Sequence, residues 1–73
     1  MESESLKRAA LMRMPFGKYQ GRMLIELPEP YLVWFKQQGF PASSLGESLA
    51  LMYEVKLNGL EGLVKKALNL SES

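Results

Sequence analysis

The chain contains neither cysteine nor histidine. That absence excludes disulfides, thiolate and imidazole metal sites, a cysteine nucleophile and every histidine-based triad. A chain of 73 residues must then hold itself together by apolar packing, helped at most by self-association. Folding at this length buries only about 60% of the unfolded surface, so the core is thin and a single domain is expected. Apolar residues make up 47% of the chain, an ordinary share for a soluble globular protein. The Ser/Glu-rich ends, residues 1–5 and 71–73, have little to bury and are expected to fray.

Proline and glycine punctuate the rest. Leu6 to Leu11 fits a short helix without a good cap. Met12, Met14 and Phe16 then alternate with Arg13 and Pro15, a period of two that reads as a strand. Pro15 has no N–H for a ladder, which makes it an edge strand. Gly17 and Gly21 read as turn glycines with positive φ, and Arg22 to Leu24 as the returning strand. A two-stranded hairpin is marginal alone, so helices must cover it.

Pro28 and Pro30 suit the first turn of a helix carrying Tyr31, Trp34 and Phe35. Gly39 is placed to end it, with Phe40 set to touch Phe35. The three aromatics read as the centre of a small core, which predicts a buried Trp34 beside Phe35, Leu49 and Met52. Ser44-Leu45-Gly46-Glu47 has the pattern of a capping box opening the longest helix, and Gly59 closes it with Leu60 set to meet Val55. Leu45, Leu49, Ala50, Met52, Tyr53 and Leu57 share one broad face of this helix. Leu51 and Val55 form a second stripe, packed either on another helix of the same chain or in a dimer seam. Lys56, lying among apolar positions, is expected to snorkel. A last helix places Leu60, Leu63, Val64, Ala67 and Leu68 at one spacing. The expected class is α+β, a short N-terminal β-hairpin packed on about three α-helices.

The net charge is only +1, yet Lys7, Arg8, Arg13, Lys18 and Arg22 follow one another with no carboxylate between them. Phe16 and Tyr19 lie among these cations. Basic groups interleaved with aromatics on a hairpin contact phosphates and stack on bases. The same pattern also describes a solvated edge protected by charge. Candidate nucleic-acid-binding residues are Arg13, Lys18, Tyr19 and Arg22, and candidate interface residues are Leu51 and Val55. The segment from Gly17 to Arg22 lacks the spacing of a phosphate loop. Glu26, Glu29, Glu47, Glu54 and Glu61 show no paired-acid pattern, and Ser43 and Ser44 have no histidine partner. No catalytic residue, metal or cofactor is expected, and the chain is not expected to be an enzyme.

The first residues are acidic and polar where a signal peptide needs a basic and then an apolar stretch. The longest apolar runs, Tyr31 to Phe35 and Leu49 to Tyr53, are far short of the roughly 20 residues that span a membrane. A cytoplasmic protein with no membrane contact is expected.

Met14-Pro15-Phe16-Gly17-Lys18-Tyr19-Gln20-Gly21-Arg22, followed by Glu26-Leu27-Pro28, Tyr31-Leu32 and Trp34, resembles the pattern of small bacterial proteins described as "putative quorum-sensing-regulated virulence factor". Leu45-Gly46-Glu47 and Lys56-Leu57-Asn58-Gly59-Leu60 extend the likeness, which runs from Met14 to about Leu63. Gln20 stands where that pattern usually has a lysine or arginine. A similar module is found in exodeoxyribonuclease X-like exonucleases, whose catalytic acids belong to a separate domain. Nuclease activity therefore does not carry over to this chain, and the resemblance implies at most an auxiliary nucleic-acid contact. The expected partner is single-stranded or duplex nucleic acid; the alternative is a protein partner or a second copy in a homodimer with a regulatory role.

Overall fold

The computed structural model describes residues 3–69. Among these lie helices α1 (Ser3–Leu11), α2 (Glu29–Gln38), α3 (Ser44–Leu57) and α4 (Glu61–Ala67), with a 3₁₀ turn, η1 (Leu24–Glu26), between α1 and α2. Helix α1 starts earlier than expected and takes in Ser3, Glu4 and Ser5, with Glu4 in its first turn and Arg8 in its last, both matched to the helix dipole. Residues 71–73 lie outside the described residues.

The fold is mainly helical, which corrects the α+β expectation. In place of a β-hairpin, the described residues hold one antiparallel bridge, Arg13 to Met23. Two hydrogen bonds frame it: Met14 N–H to the Arg22 carbonyl and Leu24 N–H to the Met12 carbonyl, each 2.8 Å. Neighbouring groups stop the ladder on both sides. Met12 N–H is already held by the Arg8 carbonyl of α1, and the Leu24 carbonyl accepts from Leu27 within the 3₁₀ turn. Toward the tip, the Met14 carbonyl takes Gly21 N–H instead of Arg22 N–H, and Arg22 N–H turns to the Tyr19 carbonyl. The alternation of Met12, Met14 and Phe16 is therefore a short extended neck on a loop.

Local end signals fare better. Gly39 has φ +98° at the end of α2, and the Phe35 and Phe40 rings meet at 5.8 Å. At the end of α3, Leu60 N–H reaches the Val55 carbonyl at 2.8 Å and Gly59 N–H reaches Lys56 at 3.1 Å. With Gly59 at φ +68°, this is the full Schellman pattern expected from the sequence. The start of α3 is displaced by one residue. Ser43 caps it, its Oγ accepting from Gly46 N–H at 3.4 Å, so Glu47 is one position too late to close a capping box. Gly46 is pressed against Pro41, where an added Cβ would overlap the carbonyl oxygen.

Helix α3 is central and packs on α1, α2, α4 and η1. This explains its weak amphipathicity: apolar residues are needed on several sides. Among the described residues the largest fully buried side chains are Met14, Leu24, Ile25, Leu27, Leu32, Leu49 and Met52. Four of these seven come from the neck, the 3₁₀ turn and the residue after it. Phe35 also lies in the core.

Lys56 does not snorkel. Its side chain is only 5% exposed, and its Nζ forms an ion pair of 2.8 Å with Glu61 Oε1 at the start of α4. The same Nζ donates to the Ile25 carbonyl at 2.9 Å. Lys65 lies 3.2 Å from the other Glu61 oxygen and 3.8 Å from Glu26. Burial pushes the Glu61 carboxyl up, but hydrogen bonds from Lys56 and Lys65 outweigh it and hold the group below its ordinary value.

Two expectations can be measured. Gly46→Ala should destabilise by more than ~1 kcal/mol despite alanine's better helix propensity, because backbone must move. Gly59→Ala should cost about 1 kcal/mol through its positive φ, whereas Gly62→Ala in α4, with open space around it, should be stabilising by up to ~1 kcal/mol. Urea midpoints of the three variants give this order. The second concerns pH. A carboxyl whose folded pKa is lowered adds stability above its unfolded pKa and loses it as pH falls through the folded one. Glu61→Gln should melt below the parent protein at neutral pH, and the gap should close below about pH 4.

Candidate nucleic-acid interface

Between α1 and α2 the chain makes a tight loop whose tip is closed by its own backbone. Gln20 N–H meets the Gly17 carbonyl at 3.1 Å, Arg22 N–H meets Tyr19 at 3.0 Å, and Gly21 N–H meets Met14 at 2.8 Å. Gly17 and Gly21 have φ of +79° and +89°, the positive values expected of turn glycines.

This loop carries all four candidate nucleic-acid residues. Arg13 is exposed, and its Nη1 donates to the Gly21 carbonyl at 2.8 Å, which pins the guanidinium across the neck beside the Arg22 backbone. Arg22 is exposed. Lys18, also exposed, holds its Nζ 5.5 Å from the centre of the Tyr19 ring. Tyr19 is half-buried and meets Tyr31 of α2 edge-on at 4.8 Å. None of the three loop cations forms an ion pair among the described residues. Of the other two cations in the run, Lys7 and Arg8 stand on α1, and Arg8 lines a groove between α1 and α3 with Ser5, Met12, Glu47 and Leu51.

The candidate interface residues divide. Val55 is buried in the core of its own chain, and Leu51 is half-buried along the α1–α3 groove. The exposed leucines are elsewhere, at Leu57, Leu60 and Leu63 around the turn from α3 into α4, with exposures of 54%, 42% and 65%.

Trp34 corrects the sequence expectation most sharply. It is 51% exposed. Its ring lies stacked beside Tyr31, with centroids 6.0 Å apart and planes inclined by 19°. Phe35 meets it edge-on at 5.7 Å. A row of rings thus runs from Tyr19 through Tyr31, Trp34, Phe35 and Phe40 to Tyr53, with Lys18 at one end and Lys36, 5.7 Å from the Tyr53 ring, at the other. Burial raises the Tyr31 phenol above its ordinary value, and neighbouring Tyr19 adds to this. The phenol therefore stays protonated at neutral pH. The signal for an exposed Trp34 was present in the helix wheel. With Leu32 and Phe35 facing the core, Trp34 lies ~100° beyond Phe35 on the side away from Leu32.

Among the described residues no helix is long and apolar enough to cross a membrane. Residues 2–67 match the family described as "putative quorum-sensing-regulated virulence factor". Two proteins named "Uncharacterized protein YpeB", from Escherichia coli strain K12 and Escherichia coli O157:H7, are each 50% identical over 66 residues, which covers 89% of this chain and 92% of theirs. No solved structure matches. Neither kind of match bears on the exonuclease resemblance.

Proposed function

The chain belongs to the family described as "putative quorum-sensing-regulated virulence factor", a description that states no reaction, and we propose that it is a small non-enzymatic binding module whose loop between α1 and α2 contacts nucleic acid. The supporting observation is that Arg13, Lys18 and Arg22 share one tight loop, are all exposed, and are not consumed by carboxylates among the described residues. Unpaired cations of this kind are available for phosphate oxygens, and such contacts fix position without reading sequence. Tyr19 beside Lys18 gives the loop an aromatic surface next to its charge.

Three phosphate contacts on a single strand would give a log–log salt slope of about −2, at roughly −0.7 per contact. Affinity at physiological salt should be in the non-specific range, on the order of 10⁻⁴ to 10⁻⁶ M. Replacing Lys18 and Arg22 together by alanine should flatten the slope and leave the melting temperature nearly unchanged, because exposed cations add little to folding. Polarisation titrations of a labelled oligonucleotide at several salt concentrations measure both. Absence of binding at low salt, or binding indifferent to the double substitution, overturns the reading.

A protein partner or a second copy is the competing reading, and the exposed Leu57, Leu60 and Leu63 favour it. It predicts a dimer in sedimentation that Leu63→Glu converts to a folded monomer.

A further inference from the structure

Trp34 is a large apolar side chain left half in solvent by a protein with little core to spare. Its setting is selective. The helical neighbours at i−4, i−3, i+3 and i+4 are Pro30, Tyr31, Gln37 and Gln38, none of them charged at neutral pH. Glu29, the acidic residue of α2, lies ~140° around the helix from Trp34. Tyr31 supports the indole on one side, and Phe35 meets it edge-on. Gln37 and Gln38 are exposed beside it and carry amides that both donate and accept. The row of rings leads from Trp34 through Tyr31 and Tyr19 to Lys18 on the basic loop.

We propose that Trp34, backed by Tyr31 and bordered by the Gln37 and Gln38 amides, is a stacking platform for an unpaired base, so that the ligand of the basic loop is single-stranded nucleic acid. This rests on the nucleic-acid reading of the loop and names its substrate. In a duplex, base faces are already covered by their neighbours; a surface indole can take up only a base that is free of the stack. Stacking accepts any base, because every base has a π-face, while the loop cations hold the backbone. The amides meet the polar edge of the stacked base. No carboxylate among the helical neighbours opposes the approach of a phosphate chain, and cations stand at both ends of the ring row.

Trp34 is the sole tryptophan, so intrinsic fluorescence reports directly on it in the unmodified protein. Titration with oligo(dT) or oligo(U) at low salt should quench that fluorescence along the same isotherm as polarisation. A blunt duplex of equal length should bind more weakly and leave the indole unquenched. Trp34→Ala should weaken oligo(dT) binding by roughly 5- to 150-fold with an unchanged salt slope, and Trp34→Phe should recover part of the loss. Circular dichroism confirms that both variants are folded. Oligonucleotide binding with unaltered fluorescence, or duplex binding as tight as single-strand binding, overturns the stacking platform and leaves the basic-loop reading standing. No binding of either nucleic acid overturns both.

Discussion

A buried ammonium organises this protein. Lys56 leaves the central helix α3 and reaches the Ile25 carbonyl at 2.9 Å and the Glu61 carboxylate at 2.8 Å. One side chain thereby ties together the 3₁₀ turn, the long helix and the start of the last helix. Withdrawing a charge from water is costly, and an ion pair with good geometry repays that cost without much surplus. The consequence is positional. Moving the 3₁₀ turn off α3 removes the carbonyl partner of Lys56, moving α4 removes the carboxylate, and either loss leaves the buried charge less well compensated. In a chain without cysteine, and so without a disulfide, this contact selects one packing among the several that a Leu- and Met-rich core would tolerate.

The 3₁₀ turn held by Lys56 is also the base of the proposed nucleic-acid surface. Leu24 and Ile25 are fully buried, and the neck of the loop is joined to them through the Leu24 N–H to Met12 carbonyl bond. The loop that displays Arg13, Lys18 and Arg22 therefore stands on a fixed footing although it contains no strand. Tyr19 folds back from the loop onto Tyr31 and joins it to α2. Core packing, loop position and the aromatic row are thus consecutive parts of one structure, which is how a domain this small presents charge and exposed rings on a rigid support.

Trp34 shows how a plausible burial argument goes astray. Tyr31, Trp34 and Phe35 stand close together in sequence, and large aromatics dominate small cores. A helix gives the core only one stripe, however, and Leu32 with Phe35 fills it. Much of the centre of the molecule is occupied by Met14 of the neck and by Leu24, Ile25 and Leu27 of the 3₁₀ turn and the residue after it, and the last three follow no helical or strand period that would announce their burial. Phe35 joins that core, Tyr31 flanks it, and Trp34 is left at the surface.

What the sequence determined by itself was local. The ends of α2 and α3 follow from proline's fixed φ and from the positive φ that Gly39 and Gly59 accept. The basic run was legible because charge order is a property of the chain. The class was not. A period of two at Met12 to Phe16 specifies alternating exposure, and a bridged neck satisfies it as well as a strand does; only the competing hydrogen bonds from Arg8, Leu27 and Gly21 decided between them. The fate of Lys56 was likewise a tertiary matter. It depends on which element arrives beside it, and that is set by the long-range packing of the 3₁₀ turn and α4 on α3, which no local spacing encodes.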